Sequence, residues 1–160
     1  MFRPIRRKDR AMPGDDCLKV LREASTGVLA LSGDDGYPYA VPINYVFSDG
    51  KLYFHSAAEG HKIDALRRCD KASFCITDRD RVCPENYTTH YRSVIAFGRI
   101  RLLEDEREKH RALMLLADKY CAQMGHASHE KIIGAEMPAV AVLEMHLEHL
   151  TGKRHPQAGE

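Results

Sequence analysis

The chain has 160 residues, 44% apolar and 29% charged, an ordinary globular balance that suits a single domain over 1–160. A net charge of +1 gives no footing for non-specific nucleic-acid binding, and no apolar run approaches a membrane span. Five cysteines (Cys17, Cys69, Cys75, Cys83 and Cys121) without a CxxC pair argue against a disulfide framework or zinc site, and the N-terminus lacks a secretory core, so a cytoplasmic location is expected.

Residues 1–12 carry Arg3, Arg6, Arg7, Lys8 and Arg10. They read as a charged arm, either mobile or wrapped on a partner subunit. Ordering would cover Phe2 and Ile5. Residues 13–24 predict a helix, with Asp15 and Asp16 at its positive end and Cys17, Val20, Leu21 and Ala24 on one apolar face. Residues 26–32 form a short strand, and Gly33 to Gly36 turn it back.

Residues 37–47 have strand composition, with prolines suggesting an edge, a bulge or a barrel mouth. Ser48-Asp49-Gly50 and the strand 51–56 complete a hairpin. His55 and Ser56 end that strand, a small-residue loop follows, and His61 and Lys62 open a short helix to Arg67. A helix start favours an anion, and a hydroxyl, an imidazole and an ammonium beside it would complete a phosphate cradle. The P-loop pattern is absent. The plainer alternative is a solvated lysine and a capping histidine on a surface helix.

Residues 72–77 read as a strand, with Cys75 packed in it. Residues 78–89 read as a long polar loop that could carry function and leave Cys83 exposed. Residues 90–103 form a strand whose Gly98 suggests a bulge or a close backbone approach. Residues 104–120 give the clearest helix, capped by Asp105. The segment 121–137 is less legible, with a short helix near 128–134. His126, His129 and Glu130 fall short of a metal ligand set. The last strand is placed at 139–150 and a polar tail at 151–160. These elements predict a mainly β fold, an antiparallel barrel with two or three flanking helices.

The hairpin PYAVPINYVFSDGKLYFHS, the following GHK and the later TTHYRSVIAFGRI closely resemble the flavin-binding split-barrel superfamily of pyridoxamine 5′-phosphate oxidase. The opening FRPIRRKDR and the closing EHLTGK are similar to its nitroimidazole-resistance branch, so the likeness runs from Phe2 to Lys153. The resemblance implies a six-stranded split β-barrel and a homodimer holding FMN at the subunit interface. It implies that Tyr39, Ala40, Val41, Pro42, Ile43 and Asn44 line the flavin ring through their backbone. His55 and Ser56 would meet the ribityl chain and phosphate, His61 and Lys62 would hold the phosphate, and Ser93 would make a polar contact. Thr88, Thr89 and Tyr91 could line the same pocket. His61, Thr89 and Tyr91 are then the candidates for proton supply or substrate contact. The implied activity is FMN-dependent reduction of small nitroaromatic compounds, with NAD(P)H or another electron donor.

Two departures bear on this. The oxidases proper carry arginine where this chain has His61, and they end in an Arg-x-His segment that this chain lacks. Both argue against vitamin B6 oxidation. The alternative is a flavin- or haem-binding protein with storage, sensing or redox-partner duties.

Overall fold

The computed structural model describes residues 2–155. Seven strands form one antiparallel sheet: β1 (Thr26–Ser32), β2 (Pro38–Asn44), β3 (Val46–Ser48), β4 (Lys51–Ala57), β5 (Lys71–Cys83), β6 (Thr88–Leu102) and β7 (Val140–Arg154). Four helices accompany them among the described residues: α1 (Gly14–Glu23), α2 (His61–Arg68), α3 (Glu106–Cys121) and α4 (His126–Glu136). The fold is therefore mixed α and β rather than mainly β. No helix among the described residues is long and apolar enough to cross a membrane.

The strand order is β2-β1-β5-β6-β7-β4-β3. Its two outermost strands are consecutive in the chain, separated only by Tyr45, so the sheet must curl until its edges meet. Tyr45 is fully buried, its ring edge-on to Phe74 at 4.8 Å. Its hydroxyl donates to the Leu21 carbonyl at 2.9 Å. The Tyr120 hydroxyl of α3 accepts from the Tyr45 amide at 3.0 Å and reaches the Tyr45 carbonyl at 2.7 Å. A break in the ladder would otherwise leave buried backbone groups unpaired, and Tyr120 satisfies them. This break is why residues 37–47 are two strands, and why seven strands stand where six were expected.

The 3–4 hairpin turns at Asp49 and Gly50, both at positive φ, the geometry that matches strand twist. The expected irregularity in β6 is present: the register with β7 shifts between Phe97 and Gly98. A Cβ at Gly98 would overlap the His146 carbonyl oxygen, so only glycine fits. Asp105 caps α3 as expected, accepting from the Arg107 and Glu108 amides at 2.9 Å.

Two expectations need correction. Residues 78–89 are not a loop but the two arms of a hairpin, pairing Asp80 with Tyr91 and Cys83 with Thr88 around a short turn at Pro84–Asn86. The hairpin projects beyond the core, so its faces needed no apolar alternation and its pattern looked like a loop. The Asp78–Arg92 ion pair sits at its root. The last strand also runs on to Arg154, past residue 151, where the tail was expected to begin. Its end is held by β6, and the His155 amide donates to the Tyr91 carbonyl at 2.8 Å. The remainder of the expected tail, 156–160, lies outside the described residues.

The main core gathers Cys17, Val20 and Leu21 of α1 with Leu29, Phe54, Phe74 and Leu143 inside the barrel. Each buried valine, leucine or phenylalanine side chain among them contributes about 1.5–3 kcal/mol. A second cluster packs Ala112 and Leu116 of α3 over Val46, Tyr53 and Val142.

Candidate functional site

β4 ends at Ala57, the chain bends through Ala58, Glu59 and Gly60, and α2 begins at His61. Gly60 has no side chain to cap the helix. Its carbonyl takes the Ile63 and Asp64 amides at 2.8 and 3.1 Å, which leaves the His61 and Lys62 amides without an intrahelical acceptor. Lys62 is half-buried, and no carboxylate among the described residues lies within ion-pair reach of it. Burial holds its ammonium below the ordinary lysine range. Free amides at a positive helix end beside an unmatched cation are features that favour an anion.

His61 is engaged differently. Its ring stacks on Tyr39 at 4.1 Å, and Nε2 lies 3.5 Å from the Asp34 carboxylate. Asp34 also takes Arg68 at 2.5 Å, so it ties α2 to the turn after β1. The Ser56 hydroxyl donates to the Ala57 carbonyl at 2.9 Å, leaving its lone pairs available.

The stretch Tyr39 to Asn44 divides by strand alternation. Tyr39, Val41 and Ile43 pack toward the core, whereas Ala40, Pro42 and Asn44 are exposed. Asn44 and the exposed His55 line one apolar pocket of about 350 Å³, walled by Leu116, Tyr120, Ile133 and Val140. The helix expected near 128–134 is present as α4, but its sequence did not tell what it packs against, so this pocket was missed. The pair Ile132-Ile133 in a polar stretch was the available signal.

Thr89, Tyr91 and Ser93 lie elsewhere. Ser56 pairs with Ala141 at the start of β7, and Ser93 pairs with Lys153 at its end. Thr89 and Tyr91 line an open pocket of about 570 Å³ with Arg10, Val82 and Tyr87. Cys83 lines it too and is buried, not exposed, paired with Thr88 beside the hairpin turn. Arg10 donates to the Tyr91 hydroxyl at 3.4 Å, and Lys153 Nζ is 5.3 Å from the ring centre. Burial raises the Tyr91 phenol, but the bonds from Arg10 and Lys153 outweigh it and hold the group below its ordinary range. Of the three histidine-segment residues, His129 turns inward to the Cys121 carbonyl at 3.0 Å. His126 stays outside, 3.8 Å from Glu130.

A family model for pyridoxamine 5′-phosphate oxidase matches residues 13–154. The chain belongs to that family. No curated protein matches its sequence. Among solved structures it resembles a candidate 5-nitroimidazole antibiotic resistance protein from Bacteroides thetaiotaomicron, at 23% identity over 89% of this chain and 85% of that one, TM-score 0.77. A conserved hypothetical protein from Mycobacterium tuberculosis matches at 21% identity over 98% and 94% of the two chains, TM-score 0.83. An FAD- and haem-binding protein from Mycobacterium smegmatis matches at 20% identity over 93% and 74%, TM-score 0.74. At these identities the likeness shows the fold, a split barrel of the pyridoxamine 5′-phosphate oxidase type. The family match begins at Pro13, so Arg10 lies outside it, whereas Lys62, Tyr91 and Lys153 fall within.

Proposed function

We propose that this chain is a flavin-dependent oxidoreductase that binds FMN and reduces small nitroaromatic compounds such as 5-nitroimidazoles. The observation that carries the reading is Lys62: a half-buried, unmatched ammonium at an uncapped helix start. Those residues fit a phosphate group. Lys62 and the first amides of α2 would hold it, and His61 would stay in place through Tyr39 and Asp34. The exposed face of β2, Ala40 to Asn44, and His55 would border the ring. Bound flavin supplies the electron transfer, and the protein supplies binding, orientation and electrostatics. The pocket beside Asn44 and His55 is apolar enough for a neutral aromatic acceptor. Family membership and the likeness to nitroimidazole-resistance and FAD-binding structures support the reading.

Thr89, Tyr91 and Ser93 belong to the same reading only through a second chain or a long ligand, since they sit apart from Lys62. A homodimer would bring them in. Val28, Cys75 and Ile95 form a row across β1, β5 and β6, and Val28 and Ile95 are exposed on the sheet's outer face. A second copy would cover that face. Sedimentation should show a dimer of the 18.1 kDa chain. A monomer with full flavin affinity would remove the two-chain site.

One feature favours a second reading, a flavin- or haem-binding protein without turnover. His55 presents an exposed imidazole to an apolar pocket, an axial-ligand type in a suitable setting. The visible spectrum of the purified protein separates haem from flavin. Photoreduced protein should then be reoxidised by a nitroimidazole in a single turnover. Flavin that stays reduced in its presence would reject the reductase.

A further inference from the structure

The N-terminal arm is not loose. Ala11 bridges Lys153, and the Met12 amide donates to the Gly152 carbonyl at 2.8 Å. This pins Arg10 beside the end of β7 and over the Tyr91 ring, with its Cζ 6.0 Å from the ring centre. Lys153 approaches the same ring from the other strand. Behind them His90 and His155 stack at 4.7 Å, and His155 faces the Thr88 hydroxyl at 3.4 Å.

Among the described residues, Asp9 is the one carboxylate within ion-pair reach of Arg10 and none is within reach of Lys153. Asp9 is held by Arg7 through two hydrogen bonds of 3.0 and 2.7 Å. Its approach to Arg10 Nε, at 3.9 Å, is too long for a hydrogen bond. Arg10 Nε and His90 Nε2 are both buried without a hydrogen-bond partner. A buried donor left unmade costs about 1–3 kcal/mol, so its retention needs a reason. Two cations converge on one neutral phenol, beside an open pocket of about 570 Å³.

We propose that Arg10, Tyr91 and Lys153 form a second anion site, separate from Lys62, that takes an oxyanion group of a small acidic ligand. The guanidinium offers Nε and a terminal nitrogen as a fork, Lys153 adds a point charge, and the Tyr91 hydroxyl donates. Thr88 and Thr89 at the pocket wall add hydroxyls for the rest of the ligand. The site stands whether or not flavin is held at Lys62.

The reporter is Tyr91 itself. Burial pushes its phenol up, but Arg10 and Lys153 outweigh that and hold it low. An anion seated between them would cancel that effect and raise it. The full-length protein is titrated with inorganic pyrophosphate while tyrosinate absorbance is followed, using Tyr91→Phe as the subtracted blank. We expect a saturable upward shift. Arg10→Met and Lys153→Met should each raise the half-saturating concentration about tenfold, and Lys62→Ala should leave it within about twofold. Succinate in place of pyrophosphate tells carboxylate from phosphate ligands, the tighter probe naming the class. Absence of a saturable shift with either probe overturns the site, as does parent-like binding by Lys153→Met or a shift lost in Lys62→Ala. Lys153→Met keeps the aliphatic stem and the strand pairing, so it decides alone if Arg10→Met disturbs the arm.

Discussion

Lys51 opens β4 and Lys62 follows soon after that strand ends, yet the two lysines live in opposite surroundings. Lys51 Nζ sits 2.9 Å from Glu144, a nearly buried carboxylate that also takes Arg101 at 2.9 Å. Arg101 reaches on to Glu108 at 2.8 Å, which ties β6 and β7 to the first turn of α3. Every charge in that chain is matched. Lys62 is half-buried and matched by nothing among the described residues. A lysine count would rank them equally. The difference teaches that a site shows itself by charge left uncompensated, and that compensated charge belongs to the scaffold.

The largest effect should come from the matched side. Glu144→Gln keeps the shape but strands Lys51 and Arg101 against a neutral amide. Arg101 is half-exposed, so water recovers part of the loss. We expect about 2 kcal/mol of destabilisation, a melting temperature lower by about 5 °C, and unchanged flavin affinity once folding is corrected. A parent-like melting curve with weaker flavin binding would invert the comparison.

Lys62→Ala should do the reverse. Charge-assisted hydrogen bonds to a phosphate contribute about 1.5–3 kcal/mol, so FMN affinity should fall about tenfold or more while riboflavin affinity holds. The ligand-free variant should melt no lower than the parent, since it loses an unmatched, half-buried charge. Equal losses for FMN and riboflavin would take Lys62 out of the phosphate site.

Cys121→Ser should change least among side-chain replacements. The thiol is exposed at the end of α3, and although it lines the pocket near His55, no cationic side chain among the described residues is paired with it. Flavin content and turnover should stay within about twofold. Turnover lost with flavin retained would expose a redox thiol.

The scaffold was legible where a local rule and the packing agreed. Asp105 marked α3, Asp49-Gly50 marked the 3–4 turn, and Gly98 marked the irregularity in β6, each because one residue type meets one backbone need. What failed was tertiary. Nothing local tells that Tyr45 must break the strand, because the partner that satisfies its backbone is Tyr120, far along the chain. The β5–β6 arms looked like a loop because Asp80, Arg81 and Val82 are all exposed, so that arm shows no apolar alternation. Lys62 could be named as a candidate from its place after a small-residue loop. That it has no carboxylate partner among the described residues, and that Arg10 and Lys153 converge on Tyr91, are facts of packing alone.

The finest test of the comparison is the sign of two pH dependences. Glu144 accepts a hydrogen bond from the Lys51 ammonium and raises it above its ordinary value of 10.5. Its contribution to stability is therefore complete below about 10.5 and is lost as pH climbs through the raised folded value. Burial lowers Lys62, so the folded state sheds that proton before the unfolded state does. Between the lowered folded value and about 10.5 the unfolded chain holds more protons, and stability must rise with pH. Other groups titrate in the same range, Lys119 among them, pushed down to about 8 by burial. Differences between parent and variant cancel their contributions. Melting temperature should be measured from mild to strong alkali for the parent, Lys51→Met and Lys62→Met, all without ligand. The parent should gain on Lys62→Met as pH rises toward 10.5, and lose ground to Lys51→Met above it. Adding FMN supplies the missing anion and should flatten the first difference, because a phosphate beside the ammonium lifts it back toward its ordinary range. If the ligand-free difference for Lys62→Met is flat from the start, its ammonium is already solvated or paired, and the contrast between the two lysines collapses.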